Sequence, residues 1–122
     1  MRSQAQRRAA LESGWRAERH VEGLLLRSCW RVCARNWRGG GGELDLVVVR
    51  DGVVRFVEVK ARRPGGGDPL QSMTVAKQRR LRGAAEAWLA QASEQPDECA
   101  FMLAAVRMEA QCWRVDWLDD IF

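Results

Sequence analysis

One stretch of the chain, GELDLVVVRDGVVRFVEVK at 42–60, constrains the fold more than any other feature. Two valine-rich runs flank the dipeptide Asp51-Gly52, and Asp-Gly in that setting is typical of a two-residue type I′ hairpin turn. The pattern predicts antiparallel strands at 43–50 and 53–60. A two-residue turn also fixes the register of the two strands, because Arg50 must then face Val53.

Charged side chains lie inside these predicted strands. The register places Asp45 opposite Glu58 and Glu43 opposite Lys60, with facing Cβ atoms roughly 5 Å apart. Facing carboxylates repel, and the repulsion grows when they are partly removed from water. A Mg²⁺ ion between Asp45 and Glu58 would remove that penalty, because Mg²⁺ prefers oxygen ligands. A second interpretation stays open, in which Asp45 and Glu58 lie at a solvated sheet edge and Glu43–Lys60 is an ordinary ion pair.

The uncharged hairpin residues predict a pair of strands covered on both faces. The face that carries Asp45 and Glu58 also carries Val47, Val49, Val54 and Phe56. The opposite face carries Leu44, Leu46, Val48, Val57 and Val59. Because both faces are apolar, we expect a layer of structure on each side of the sheet.

Helical periodicity appears on both sides of the hairpin. An apolar stripe through Trp15 and Leu25 indicates a helix over about 9–27, and residues 1–8 are expected to be disordered or frayed. Thr74 is a plausible N-cap for a second helix that extends to about Ala92, with Leu81, Ala85, Trp88 and Leu89 on its inner face.

Further apolar runs predict three more strands, near Val32, at 100–106 and, at an edge of the sheet, at 112–117. The order α-β-β-β-α-β, with one further strand, predicts an α/β fold with a central mixed sheet flanked by helices. The length of 122 residues is typical of a single domain, 1–122.

Two polar residues interrupt the predicted inner faces of the helices, namely Glu18 and Gln78. A polar side chain on a buried face needs a partner, and both residues could point towards the charged end of the hairpin. The alternative is that each lies at the margin of its stripe and extends to solvent.

Composition narrows the class of partner and the compartment. The net charge of +4 favours polyanions, with nucleic acid ahead of an anionic membrane. No run of 18 apolar residues is present and the N-terminus lacks an apolar h-region, which predicts a cytoplasmic protein without a membrane span. The four cysteines lack the closely spaced pairs of a zinc site, so reduced thiols are the preferred interpretation.

Basic residues near the hairpin and the second helix could contact a phosphate backbone. Each of them could equally be a solvated surface charge. The candidates for nucleic-acid binding are Arg38, Arg62, Arg63, Lys77, Arg79 and Arg80.

Four motifs together resemble a known family: Glu18, GELDL at 42–46, FVEVKAR at 56–62 and KQRRL at 77–81. They resemble the YraN-like family of uncharacterised proteins, UPF0102, over about 14–89 with a weaker tail to the C-terminus. That family is similar to the restriction-endonuclease-like PD-(D/E)xK nucleases, including archaeal Holliday-junction resolvases. By this resemblance Asp45 matches the first motif's aspartate, Glu58 and Lys60 match the E-x-K, and Glu18 matches the first-helix glutamate. Leu44 stands where the nuclease motif has proline.

The resemblance implies an αβββαβ core and Mg²⁺- or Mn²⁺-dependent hydrolysis of phosphodiester bonds in DNA, including branched or structured DNA. Asp45 and Glu58 would bind the metal ion, with the Val59 carbonyl as a third oxygen and Glu18 bound directly or through water. Lys60 and Gln78 complete the candidate catalytic set. Two other classes stay open: a non-catalytic nucleic-acid-binding module with a relict site, and a protein-interaction domain, which the six tryptophans favour. The oligomeric state is open too, a homodimer included.

Overall fold

The computed structural model describes residues 3–62, 65–119 and 121, except the side chains of residues 9–13. In the described part, two α-helices, a short 3₁₀ helix and five strands follow one another. Their order is α1 (Gln4–Arg27), β1 (Arg31–Gly39), β2 (Gly42–Arg50), β3 (Val53–Arg62), the 3₁₀ helix (Pro69–Ser72), α2 (Val75–Gln91), β4 (Glu98–Glu109) and β5 (Cys112–Asp119). The predicted order of elements, with the further strand, is therefore confirmed.

The five strands form one mixed sheet in the order β1-β2-β3-β4-β5. Three neighbouring pairs are antiparallel, whereas β3 and β4 are parallel. A parallel pair needs a long crossover, and α2 supplies it. α1 packs on β3 and the strands before it, and α2 packs mainly on β2 and β1. No helix of the described part is long and apolar enough to cross a membrane.

Separate apolar cores cover the two faces of the sheet, as the hairpin pattern predicts. The α2-side core includes Val47, Val54, Phe56, Leu81, Ala85, Trp88 and Leu103. The α1-side core includes Ala17, Val21, Leu25, Leu46, Val48, Val57 and Val106. The predicted face of Leu44 is wrong. Strand alternation assigns Leu44 to the α1 side, but it packs in the α2-side core.

A shared irregularity in β1 and β2 explains the position of Leu44. Leu44 and Val47 both face α2 although they are three residues apart, and their partners Trp37 and Ala34 have the same spacing. Asn36 lies between those partners with a φ of 47°, in the left-handed region. Both strands therefore change phase at the same level, which is the level of Asp45.

α1 begins earlier than the sequence indicates. Ser3 and Gln6 form a capping box, in which the Ser3 hydroxyl accepts from the Gln6 N–H and the Gln6 side chain accepts from the Ser3 N–H. Residues 4–8, expected to be disordered or frayed, are thus helical, whereas residues 1 and 2 lie outside the described part. Trp15 is 56% exposed, so its predicted place on the inner face is wrong.

The start of α2 and its inner face agree with the prediction. Thr74 caps the helix by accepting a hydrogen bond from the Lys77 N–H at 3.1 Å. Leu81, Ala85 and Trp88 are buried as expected. These contacts fix the N-terminal half of α2 beside the charged end of the hairpin.

Glycines in the β1–β2 turn let the backbone of α2 touch the backbone of the turn. A Cβ atom on Gly40 would lie 2.1 Å from the Gly83 carbonyl oxygen, and one on Gly42 would lie 2.2 Å from the Arg80 carbonyl oxygen. Both distances are far below van der Waals contact, so no larger residue fits without moving α2.

This close approach predicts that Gly42→Ala destabilises the fold by about 3 kcal/mol, since the added methyl group meets backbone that cannot move aside. Gly41→Ala is the control, because a Cβ at Gly41 meets nothing within 4 Å and carries only the strain of its φ of 82°, about 1 kcal/mol. Urea unfolding of both variants measures the difference. Equal losses in the two variants would contradict the close approach.

Candidate metal centre at the end of the hairpin

The predicted hairpin turn is confirmed, and so is the predicted register as far as Leu46–Val57. Asp51 and Gly52 both have positive φ, 51° and 78°, as a type I′ turn requires. The ladder of facing pairs then runs from Arg50–Val53 to Leu46–Val57. Over this part of the hairpin the facing residues are those that a two-residue turn dictates.

The ladder ends where the charged residues begin. Beyond Leu46–Val57, the Val59 N–H donates to the Asp45 Oδ2 atom at 2.8 Å. In a continued ladder this N–H would bond to a main-chain carbonyl of β2. Asp45 therefore replaces a strand–strand hydrogen bond with its own carboxylate, and the predicted facing pairs Asp45–Glu58 and Glu43–Lys60 are not part of the ladder.

Asp45 and Glu58 nevertheless remain in contact through a side-chain hydrogen bond. Burial and, after it, the neighbouring Glu58 charge raise the pKa of Asp45 to about 7, although the hydrogen bond from Val59 opposes the rise. A carboxyl with such a pKa carries a proton in much of the protein at neutral pH. The two side chains thus form a partly protonated pair in the absence of a cation.

Lys77 of α2 contacts the Glu58 member of this pair. Its Nζ atom lies 2.9 Å from the Glu58 Oε1 atom, and the Glu58 side chain is only 13% exposed. Burial raises the pKa of Glu58, while the hydrogen bond and charge of Lys77 oppose that rise. Lys77 was expected among the nucleic-acid contacts. Its amine contacts a candidate metal ligand in this structure, and the expected nucleic-acid contact stays a prediction.

Glu18 brings a third carboxylate to this centre from α1. Burial and, after it, the charge of Asp45 raise the pKa of Glu18 to about 7, although a side-chain hydrogen bond with Asn36 opposes the rise. The charge of Glu18 also contributes to the raised pKa of Glu58. Asn36 is a site residue that the sequence pattern does not predict. Its distinguishing feature is a left-handed backbone within a strand, which is a property of the structure.

The other candidate catalytic residues have different surroundings. Lys60 is exposed and follows Glu58 by two residues in β3, so strand alternation gives both the same face. The Gln78 amide nitrogen donates to the Met73 carbonyl at 3.1 Å and so ties α2 to the segment before it. The predicted roles of Lys60, Gln78 and the Val59 carbonyl stay predictions.

A cleft of about 370 Å³ lies between the β1–β2 turn and α2, and its lining includes Lys77, which contacts Glu58. Its charged lining consists of Arg38, Lys77 and Arg80 together with Glu43. The Arg38 Nε atom lies 3.5 Å from the Glu43 carboxylate, and the Arg38 side chain is largely exposed. Three of the predicted nucleic-acid contacts therefore line one cleft.

Two further predicted nucleic-acid contacts, Arg62 and Arg79, are not part of the lining of this cleft. Arg79 is exposed on α2, and Arg62 donates to the Gly66 carbonyl in the loop after β3. Arg63 lies outside the described residues, so the prediction for it stays a prediction.

The two lysines of the chain both belong to the candidate site. The chain contains two lysines, Lys60 and Lys77, and all its other basic residues are arginines. One lysine follows Glu58 on its strand and the other contacts the Glu58 carboxylate. This restriction of lysine to two positions is a sequence signal that could have identified Lys77 as a site residue.

The donor set has the chemistry that a hard divalent cation requires, namely two interacting carboxylates with a third beside them. Within the described residues, no three His, Cys, Asp or Glu side chains converge in an arrangement ready to hold a metal ion. In this structure Lys77 contacts Glu58, and the Val59 N–H donates to Asp45. Mg²⁺ commonly uses one or two carboxylates and fills its remaining positions with water and phosphate, so this pair fits it. All four cysteines are free and exposed.

These carboxyls predict a pH dependence of metal-free stability. Because the pKa of Asp45 is about 7 in the folded protein and about 4 in an unfolded chain, the folded state holds the extra proton. Its stability should fall as pH rises between those values, by at most about 1.4 kcal/mol per pH unit. Asp45→Asn should flatten the dependence.

Urea unfolding in EDTA at about pH 5 and about pH 8 measures this slope. Asp51→Asn is the matched control, because Asp51 lies in the exposed hairpin turn and asparagine suits its positive φ. A slope that Asp45→Asn leaves unchanged would refute the assignment of the proton to Asp45.

Comparison with known proteins identifies the family. A UPF0102 protein of Nitratidesulfovibrio vulgaris is 37% identical over 111 residues, which cover 90% of this chain and 83% of that protein. UPF0102 proteins of Symbiobacterium thermophilum and Methylocella silvestris are 40% and 43% identical over 94 and 90 residues, covering 76% and 74% of this chain and 80% and 72% of their own lengths. The sequence profile of "Uncharacterised protein family UPF0102" matches residues 17–118, which include every residue of the carboxylate centre. The resemblance to the YraN-like proteins is thereby confirmed, and the chain belongs to the UPF0102 family.

Proposed function

We propose that this protein is a metal-dependent nuclease that hydrolyses phosphodiester bonds in DNA on a restriction-endonuclease-like core. The observation that carries the proposal is the cluster of Glu18, Asp45 and Glu58, whose carboxyls repel one another in a partly buried site. A site shaped for stability alone would replace at least one of them. The order αβββαβ and the two-sided cover of the sheet support the choice of fold.

Asp45 and Glu58 would hold the Mg²⁺ or Mn²⁺ ion, with Glu18 bound directly or through water and the Val59 carbonyl as a further oxygen. The bound ion supplies a Lewis acid that lowers the pKa of water and neutralises charge on the phosphate. The Val59 N–H holds Asp45 in position by its hydrogen bond to Oδ2. The Asn36 side chain positions Glu18 in the same way, through their side-chain hydrogen bond.

The two lysines take different roles in this proposal. Lys60, exposed on the face of Glu58, would neutralise the charge that develops on the phosphate as water attacks. Lys77 neutralises Glu58 while the cation is absent, and its flexible side chain can turn towards the adjoining cleft when the cation binds. Gln78 would support the site by fixing the start of α2.

The cleft between the β1–β2 turn and α2 would bind the DNA backbone. Arg38 and Arg80 line it, and Arg79 lies exposed on the same helix as Arg80. Such contacts to phosphate are independent of base sequence and weaken as salt rises. The preference for branched or structured DNA rests on the resemblance to Holliday-junction resolvases, and the cytoplasmic location is likewise an expectation.

Metal binding predicts a thermal shift. At a concentration ten times the Kd, Mg²⁺ or Mn²⁺ should stabilise the fold by about 1.4 kcal/mol, which raises Tm by about 5 °C. The rise should be larger at about pH 8 than at about pH 5.5, because the cation must displace protons from the carboxyls. Asp45→Asn should abolish most of the shift and Asp51→Asn should keep it. A full shift in Asp45→Asn would exclude Asp45 as a ligand.

A relict site in a nucleic-acid-binding module is the second candidate. The Lys77–Glu58 ion pair favours it, because a lysine that already neutralises the centre lets the fold persist without a cation. Such a module would bind DNA in a salt-dependent way, ignore Mg²⁺ and leave the DNA intact. A protein-interaction domain is the third candidate, favoured by the exposed Trp15 and Trp117.

The test of the nuclease proposal is incubation of the purified protein with branched, flapped, single-stranded and duplex DNA and with RNA, each with Mg²⁺, Mn²⁺ or EDTA. The proposal expects cleavage of at least one DNA substrate with a metal ion and none with EDTA. Metal-independent binding without cleavage of any substrate would replace it with the relict-site function.

A further inference from the structure

β5 leaves one edge of the sheet open in the described part of the chain. It is the last strand of the sheet and pairs with β4 alone, from Met102–Asp119 to Glu109–Cys112. The connecting turn has two residues, Ala110 and Gln111, both with positive φ. In such a hairpin the residues that flank the turn form a hydrogen-bonded pair, and bonding then alternates along the strand. The backbone N–H and C=O groups of residues 113, 115 and 117 therefore point away from the sheet.

The side chains of β5 alternate between an aromatic face and a charged face. Trp113 and Val115 pack against the α1-side core, and alternation gives Trp117 the same face. Arg114 and Asp116 occupy the opposite face, one residue on each side of Val115. Trp117 is 39% exposed, so an indole remains uncovered at the open edge.

We propose that β5 pairs in antiparallel orientation with β5 of a second copy of this chain, with Val115 facing Val115 on the two-fold axis. This register places Arg114 of each copy opposite Asp116 of the other, and Trp113 opposite Trp117, each pair occurring twice. The outward backbone groups of 113, 115 and 117 then bond to their counterparts. The two five-stranded sheets become one continuous sheet.

Charge selects this register over its neighbours. A shift of one strand that moves the axis to residue 114 would set Arg114 against itself, and a shift to residue 116 would set Asp116 against itself. Like charges directly opposite each other destabilise strand pairs, and opposite charges stabilise them. Charges on an edge strand ordinarily discourage pairing, but the order Arg-Val-Asp makes two copies of this edge attract.

The other edge of the sheet lacks these properties. β1 carries Arg31, Arg35 and Arg38 and no acidic residue, so it offers a second copy no complementary charge within the strand. It is also bulged between Val32 and Ala34 and irregular at Asn36. A bulged strand cannot present a regular row of backbone groups, which is a common protection of sheet edges.

The charged residues of β5 are free to change partners. Arg114 contacts Glu109 at 3.1 Å and Asp116 lies 3.9 Å from Arg107, and the Arg114 and Asp116 side chains are about half exposed or more. Exposed ion pairs of this kind hold their partners weakly. The pairing is independent of the proposed nuclease activity, because β5 carries none of the proposed site residues.

Charge reversal in a full-length chain tests the proposal. Arg114→Asp and Asp116→Arg each convert both cross-strand pairs into like-charge pairs, and each should weaken dimerisation about tenfold or more. An equimolar mixture of the two variants should dimerise again, because each Asp then faces an Arg. Circular dichroism checks that both variants are folded, and sedimentation over about 1–100 µM gives the masses, since one strand pair is a small interface.

The expected result is a wild-type dimer in that range, monomeric single variants and a dimer in their mixture. The double variant Arg114→Asp/Asp116→Arg should also dimerise, since its charges are complementary again. A wild type that stays monomeric, a dimer that neither reversal weakens, or a mixture that stays monomeric would each overturn the proposal.

Discussion

Replacing Glu58 by glutamine is expected to slow DNA cleavage by about 1,000-fold or more. Glutamine keeps the shape of the side chain but removes the charge that would bind the metal ion, and the loss of metal-ion catalysis is worth several kcal/mol. The side chain is only 13% exposed and contacts both Asp45 and Lys77, so it lies at the centre of the proposed site. Single-turnover rates at saturating Mg²⁺ measure the effect.

Glu86→Gln is the control for this variant. Glu86 is exposed on α2, on the same helix as Lys77, and its replacement changes the net charge by the same amount. We expect its cleavage rate to equal that of the wild type. A Glu58→Gln variant that cuts as fast as Glu86→Gln would remove Glu58 from the site.

Replacing Lys60 by methionine is expected to slow cleavage by about 100-fold while folding and DNA binding persist. Methionine keeps much of the side-chain volume and removes the charge that would stabilise the transition state. Lys60 is exposed, so its loss should change the free energy of unfolding by less than about 1 kcal/mol. Cleavage rate, DNA affinity and Tm are measured on the same preparation.

The other lysine provides a matched variant, Lys77→Met. It should lower stability at about pH 8, because Glu58 then loses its neutralising partner, but it should keep the metal-induced rise in Tm. Lys60→Arg should restore part of the rate at most, because a planar guanidinium does not replace a compact ammonium. If Lys60→Met cuts as fast as the wild type under the same Mg²⁺, Lys60 has no part in the chemistry.

The hairpin and the second helix could be predicted because local chemistry decides them. Asp51 and Gly52 tolerate the positive φ that the turn requires, and Thr74 caps a helix whichever sheet it packs on. The two-residue turn then fixes the facing pairs as far as Leu46–Val57. These features depend on few residues that are close in sequence.

The end of that ladder could not be predicted from the hairpin, because a side chain intervenes. The Asp45 carboxylate accepts the hydrogen bond of the Val59 N–H. Asn36 of β1, with its left-handed backbone, allows β1 and β2 to change phase together. Simple strand alternation assumes an unbroken ladder of main-chain hydrogen bonds. It therefore assigns Leu44 to the wrong face. The error lies at the candidate site, where local rules are expected to fail.

Helix phase explains the error at Trp15. Two apolar stripes of α1 differ by part of a helical turn. One passes through Trp15 and Leu25, and the other, which is buried, passes through Ala17, Val21 and Leu25. The large apolar side chain of Trp15 makes the first stripe look like the inner face. The small residue Ala17 lets α1 lie close to the sheet, while Trp15 packs beside the Arg19 guanidinium, which lies 4.8 Å from the ring centre. Only the packed sheet decides between such stripes.

The central claim is that the Asp45–Glu58 centre cuts DNA with a bound metal ion. The most direct measurement is the cleavage rate of the best-cut labelled substrate by wild type and by Asp45→Asn, purified in parallel to detect contaminating nucleases. Each is assayed with Mg²⁺, after addition of EDTA and after Mg²⁺ is restored in excess. We predict that wild type cuts, stops with EDTA and resumes, while Asp45→Asn stays inactive throughout although it is folded and binds DNA. Equal cleavage by both proteins, or wild-type cleavage that continues in EDTA, would contradict the claim.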